Sequence, residues 1–289
     1  MVISEQGYVH WQGTFVERRF PWWPITRLGI RLAFKRKFFK FVFSISLLPA
    51  VMFSTGVYIS ERLDDFQFML KGPDRLLEVN PAFFKSYFTS EPLLFLMVMI
   101  MVLAGAGLIC DDLKYNSLQL YFSRPLRKRD YVLGKMATVF FFLLILTLVP
   151  GLLFVLLKLI FAGSFKFLAN YPWIPVSVIA FSLLVTLFFA FYTLLVSSLS
   201  KNRRYVSILL FLVYIFSNVF FGIFYSIFHN PYFCLLSIQC DIQQVGAAFF
   251  RQSPHYDVPW IYSFLVLAAI CCVSAFVLKR KIRGVEVVK

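Results

Sequence analysis

The chain has 289 residues, of which 60% are apolar, 37 are Phe and 15% are charged, and a soluble domain of this length has too little interior to hide that much apolar surface. A formal net charge of +15 would suit nucleic acid only if it lay on one face of a soluble domain. The Lys and Arg residues fall instead between apolar runs long enough to cross a bilayer, which excludes that class and makes the charge a topology signal.

Residues 1–40 contain no apolar stretch ahead of a small-residue cleavage site, so the first span is expected to act as its own membrane address. Trp11, Trp22 and Trp23 with Arg18 and Arg19 suit the headgroup region. Pro24 fits the first turn of a helix running to Lys40, with Arg27, Arg31 and Lys35 on one face and Ile25, Leu28, Leu32 and Phe39 on another. This predicts an interfacial helix whose basic side chains snorkel, with Trp22, Trp23, Arg27, Arg31 and Lys35 at the membrane interface. Span one is expected at 41–60, with Pro49 as a kink. The acidic loop 61–91 carries Leu76, Leu77, Phe83 and Phe84, which predict packing against helices or membrane. Span two is expected at 92–110, ending in the small residues Ala104, Gly105, Ala106 and Gly107 that permit close helix approach.

The polar, basic segment 111–135 comes next, and the chain is organised around it. Its first half is helix-like, with Leu113, Leu120 and Tyr121 on one stripe and Tyr115, Leu118 and Phe122 on the neighbouring one. Pro125 predicts a bend and Asp130 an N-cap for the following helix. Span three is expected at 138–161, kinked at Pro150 and Gly151, with Lys158 snorkelling near its outer end. Spans four and five, 176–196 and 205–227, form a hairpin about the basic turn Lys201, Asn202, Arg203 and Arg204. Asn218, the most polar residue inside span five, predicts an interhelical hydrogen bond. A second loop, 229–259, holds a helix-like stretch too short to cross, and span six is expected at 260–278.

Eight Lys and Arg lie in the N-terminal segment, six in the 111–135 segment, three in the four–five turn and five in the tail, leaving seven of 29 for the other face. By the positive-inside rule both termini, the polar segment and the basic turn are expected to be cytoplasmic. No phosphate loop occurs, since Gly134 and Lys135 are followed by Met136 and lack the upstream glycine, and neither Asp nor Glu lies within the spans. His229, Cys234, Cys240 and His255 fit no familiar metal spacing. A disulfide between Cys234 and Cys240 would need a broken helix, because on one continuous helix their Cα atoms stand ~9 Å apart.

Asp112, Ser117, Leu118, Leu120, Ser123, Arg124, Pro125, Arg129, Tyr131, Gly134 and Lys135 resemble the pattern between the second and third helices of permease subunits of type-2, exporter-like ATP-binding-cassette transporters. The resemblance implies an all-α integral membrane protein of residues 1–289, with six transmembrane helices, an N-terminal interfacial elbow helix and a cytoplasmic coupling helix between spans two and three. It implies no enzyme in this chain, with ATP and Mg on a separate ATPase subunit, and a second permease copy as partner. The expected docking residues are Asp111, Asp112, Lys114, Leu118, Tyr121, Phe122, Arg124 and Pro125, and the expected location is the plasma membrane, the inner membrane in bacteria. The alternative is a non-transporting structural or regulatory membrane subunit. An intramembrane enzyme lacks a suitable set of His, Asp, Glu or Ser at membrane depth.

Overall fold

A computed structural model describes residues 20–62, 79–122, 126–163 and 165–282, and these residues form helices joined by short turns. Six helical stretches are long and apolar enough to cross a membrane: Lys37–Glu61, Pro81–Lys114, Lys128–Ala162, Ile174–Leu199, Arg203–Phe228 and Trp260–Lys281. Each contains one expected span and extends beyond it. In chain order the elements are α1 (Trp23–Phe34), α2 (Lys37–Ser46), α3 (Leu48–Glu61), α4 (Pro81–Phe88) and α5 (Glu91–Ile100). A π-turn at Met101–Gly105 separates α5 from α6 (Gly107–Lys114), and α7 (Ser117–Phe122) follows. Next come α8 (Lys128–Leu146), α9 (Leu148–Ala162), α10 (Lys166–Asn170), α11 (Ile174–Leu199), α12 (Arg203–Phe228), a 3-10 turn at Pro231–Leu236, α13 (Ile238–Phe249) and α14 (Trp260–Lys281).

Apolar sequence makes these segments helical because a helix satisfies its own backbone where water is absent. The two expected kinks are present. Span one breaks at Leu47, with Pro49 in the first turn of α3, and span three breaks at Thr147 ahead of Pro150. Pro150 has no N–H to offer the carbonyl of Leu146, four residues back. The Tyr87 hydroxyl donates to that carbonyl instead, at 2.6 Å. The Tyr87 ring lies edge-on to Phe154, 4.8 Å away, so the same side chain closes the broken ladder and fills the core. Phe84, Phe88, Phe181 and Phe250 continue this core toward the end of the bundle where α13 lies.

Spans two, three and four form the interior, with half or more of their most apolar stretch buried, whereas spans one, five and six are peripheral at 28%, 17% and 22%. The N-terminal helix starts at Trp23 with Pro24 in its first turn as expected but stops at Phe34, and Arg36 adopts an extended conformation before α2 begins. Ile25, Thr26 and Ala33 are buried while Leu28 and Leu32 are about half exposed, because the contact with α8 is made through glycines. A Cβ on Gly29 would sit 2.6 Å from Thr138 Oγ1, and one on Gly134 would sit 2.8 Å from both the Ile25 Cβ and the Trp22 carbonyl oxygen. Thr26 Oγ1 donates to the Gly134 carbonyl at 3.0 Å. The approach is so close that the larger Leu28 and Leu32 are excluded from it.

At the opposite end, Lys158 is not a lone snorkelling charge. It pairs with Glu61 at the end of span one, and its ammonium stands 5.9 Å from the Phe167 ring centroid. Cys234 and Cys240 are bonded, with their Cα atoms 5.6 Å apart. The helix break that pairing requires is at Ser237, which is extended between the 3-10 turn and α13 and caps α13 by accepting from the Cys240 N–H. The Asn218 expectation holds: its Nδ2 donates to Gln239 Oε1 at 2.9 Å, and its Oδ1 accepts from Ser237 Oγ at 2.5 Å.

Two substitutions test this packing. Gly134→Leu is expected to displace α1 and to destabilise the protein by about 1–3 kcal/mol, since backbone as well as side chain blocks the added carbons. Gly222→Leu, at a position with open space, serves as the control. Tyr87→Phe leaves the Leu146 carbonyl without its donor and is expected to cost about 1–3 kcal/mol. Thermal unfolding in detergent, with protease sensitivity near Lys35 as the reporter for α1, measures both.

Candidate functional site

The described parts of the polar segment, residues 111–122 and 126–135, form an elbow at the ends of spans two and three. α6 carries Asp111 and Asp112 out of span two and ends at Lys114; Asn116 then takes a positive φ of 53°, which an Asn tolerates better than most residues, and turns the chain into α7. The expected single helical stretch is therefore two pieces with different faces. At the start of span three the N-cap is Arg127, and Asp130 lies in the first turn, where its charge still favours the helix dipole.

The elbow is pinned from inside. Asp112 Oδ2 accepts from the Tyr131 hydroxyl at 2.6 Å and lies 2.7 Å from Lys135 Nζ, in an ion pair whose side chains are only 14% and 11% exposed. Tyr121 stacks at a tilt on Tyr131, with centroids 5.3 Å apart, and the Lys135 ammonium lies 5.8 Å from the Tyr121 ring. Burial, and then the adjacent Asp112 carboxylate, push the Tyr121 phenol above its ordinary value, so it remains neutral. Leu118 is buried at 9% exposure. Three of the expected docking residues, Asp112, Leu118 and Tyr121, thus face the bundle and hold the elbow to it. Arg124, Pro125 and the Phe122 side chain lie outside the described residues.

What remains on the surface is different in kind. Asp111, Lys114 and Tyr115 form one wall of a groove of about 700 Å³, and Asn202, Arg203, Arg204, Ser207 and Ile208 from the four–five turn form the other. Tyr115 is 69% exposed. Arg203 reaches across, 3.9 Å from Asp111 and 2.9 Å from the carbonyl of Leu103, which also accepts from Arg36 at 3.0 Å. Ser197 of span four joins the same region, donating to the Ala106 carbonyl and accepting from the N–H groups of Ile109 and Cys110. On α1 the outer face presents Trp23, Arg27, Leu28 and Arg31 around a shallow depression of about 280 Å³, with Lys35 exposed and Trp22 partly covered.

At the other end of the bundle a polar cavity of about 450 Å³ is lined by Lys85, Glu91, Asn218, Gln239, Gln243 and His255 among others. Behind it, on α13, Asp241 is 1% exposed and its Oδ1 has no hydrogen-bond partner. Burial pushes its carboxyl from an ordinary 3.8 up to about 8, a shift that Ser263 opposes.

The fold defines an integral, multi-pass α-helical membrane protein, with six helices able to span a bilayer. Residues 60–278 match the family model described as ABC-2 family transporter protein, and the chain belongs to that family. It is the membrane permease of an ATP-binding-cassette transporter, a transport component and not a catalytic one, and the family implies an ATP-binding-cassette ATPase as its partner. No curated protein matches the chain.

Removing either partner of the Asp112–Lys135 pair strands the other charge in a largely dry site, so Asp112→Ala or Lys135→Met alone is expected to cost about 3–5 kcal/mol, and the double variant clearly less than the two together. A double-mutant cycle on unfolding in detergent checks this. Asp241 generates a pH dependence of known sign. Its neutral form is the one the fold favours, so its contribution is fully present below about pH 4 and is lost as pH rises toward its folded pKa of about 8. Thermal stability followed from pH 5 to 9 is expected to fall less steeply in Asp241→Asn than in the parent.

Proposed function

We propose that this permease forms the membrane path of an exporter-type transporter, works as a dimer of permeases, and takes its energy from a separate ATPase that docks on the elbow. ATP and Mg act on the ATPase, and this chain carries no cofactor. The observation that carries docking is the groove between the α6–α7 connection and the four–five turn. It offers an exposed aromatic ring, Tyr115, in one wall beside Lys114 and Asp111 with Arg203 and Arg204 in the other, and an aromatic anchor beside charge is what a small docking surface needs. Burial of Leu118, Asp112 and Tyr121 supports a revised division of labour, in which those residues present the elbow and Lys114, Tyr115 and Arg204 meet the partner.

The excess of Lys and Arg on the elbow's face supports a cytoplasmic placement for it and for both termini, in the plasma membrane. The outer face of α1, where Trp23 and Leu28 lie beside Arg27 and Arg31, suits the headgroup layer, its rings and stems in the interface and its guanidinium groups toward phosphate. The thinly buried spans one and five offer the apolar faces that a second permease copy or lipid covers. Export is the direction favoured by the likeness of the Asp112 to Lys135 segment to exporter-type permeases.

Tyr115→Ala is expected to weaken ATPase association by about 2 kcal/mol, and Lys114→Glu by less, with normal membrane insertion in both. Leu118→Asp acts differently: it buries a charge, destabilises the elbow by about 3 kcal/mol and lowers the amount of folded permease. ATPase co-purification at matched permease levels separates the two effects, and wild-type association of Tyr115→Ala removes the groove as the docking site. A cysteine placed at Asn202 is expected to react with an impermeant reagent only in inverted vesicles. Reaction in intact cells reverses the orientation.

A further inference from the structure

Docking at the elbow leaves the π-turn in span two unexplained. A π-turn widens the helix and disturbs its hydrogen-bond ladder, and such turns recur at functional sites. Here Ala106 N–H reaches back five residues to the Met101 carbonyl at 3.1 Å, and the Leu103 carbonyl inside the turn accepts from two guanidinium groups. Their origins matter. Arg36 is the extended residue between α1 and span one, and Arg203 is the first residue of span five. Two of the three peripheral spans, one and five, are therefore tied, at their basic ends, to one backbone atom of span two. Arg203 also lies 3.9 Å from Asp111, eight residues further along the same chain, so its fork grips span two at two levels.

The small residues around the turn keep this arrangement tight. A Cβ on Gly105 would lie 2.3 Å from Thr193 of span four, and one on Gly107 would lie 2.4 Å from Asp111 and 3.4 Å from the Arg203 guanidinium carbon. Span two thus cannot turn or slide here without either displacing span four or carrying the two arginines with it. Charge-assisted bonds to a carbonyl are stronger than neutral ones, and of the two here the one from Arg203 is partly buried and the one from Arg36 lies at the surface.

We infer that Arg36 and Arg203 are positioning residues for transport: through the Leu103 carbonyl they transmit displacement of the α6–α7 elbow to spans one and five together. This rests on the elbow being the ATPase docking site. Because α6 continues directly from the π-turn, a push on the elbow reaches Leu103 along span two itself, beside its direct ties to span three through Asp112, to span four through Ser197 and to span five through Asp111. Lys at position 36 can still reach one carbonyl. Lys at position 203 cannot serve the carbonyl and Asp111 at once, since it has a single nitrogen where the guanidinium has a fork.

The test uses the full permease–ATPase complex in lipid nanodiscs. Spin labels at Thr55 of span one and Ser226 of span five, both exposed, replace native residues in a background lacking Cys271 and Cys272, and their separation from labels at the exposed Asn116 of the elbow is measured with and without a non-hydrolysable ATP analogue. The parent complex is expected to change both distances on nucleotide binding. Arg203→Gln and Arg203→Lys are expected to lose the change at Ser226, Arg36→Gln the change at Thr55, and Arg36→Lys to retain it. ATPase co-purification and nucleotide binding are expected to stay at parental levels in the Arg36 variants, and the Arg203 variants, whose side chain lines the docking groove, are compared at matched ATPase occupancy. Variants that bind the ATPase normally and keep both changes overturn the inference, and so does a fall in thermal stability with the changes intact, which marks the arginines as structural only. A parent complex whose ATPase fails to associate, or associates without any nucleotide-dependent change, overturns the docking assignment and this inference with it.

Discussion

A backbone group set free inside a membrane has no water to turn to, and that constraint shapes most of the polar contacts between the spans. At several places where a span departs from regular α-helix, a side chain from elsewhere meets the exposed group. Tyr87 serves the carbonyl that Pro150 abandons. Arg36 and Arg203 serve the carbonyl within the π-turn, and Ser197 bridges three backbone groups just beyond it. Lys281, at the end of span six, donates to the Ser198 carbonyl where span four ends. Irregular places thus join parts of the bundle, beside specific bonds between regular helices such as that from the Tyr192 hydroxyl to the Leu210 carbonyl.

The division into spans was readable because apolar runs of membrane length admit one physical solution, and the prolines that interrupt them announce their own kinks. Asn218 was readable for a related reason, since an amide in an apolar span has few ways to be satisfied. Other features left weaker traces. Nothing in Met101 to Gly105 distinguishes a π-turn from α-helix, because the turn is fixed by the close approach of Thr193 and by two arginines distant in sequence. The face by which α1 meets span three left no trace in hydrophobicity, because the fit is steric and selects Gly29. The Cys234–Cys240 bond depended on a break at Ser237, and a serine is as common a surface residue as it is an N-cap.

The elbow shows how a charge can be misjudged from sequence. Asp112 stands in a polar run beside Asp111, and from order alone the two look alike. In space they differ: Asp112 is enclosed by Lys135 and Tyr131 from the next span, while Asp111 stands at the rim of a groove beside Arg203. One acid belongs to the fold and its neighbour to the surface, and a rotation of about 100° along a helix is all that separates the two roles.

The residues by which the elbow resembles other permeases are in large part the ones turned inward: Asp112, Leu118, Tyr131, Gly134 and Lys135 are its scaffold. The side chains proposed to meet a partner, Lys114 and Tyr115 with Arg204 opposite, line the exposed groove and lie outside that recurring pattern. On that proposal, framework and recognition are carried by separate residues. A cell holding several transporters of this kind could keep the same elbow in each and still prevent their ATPases from being exchanged, by varying a handful of exposed positions that the fold does not need.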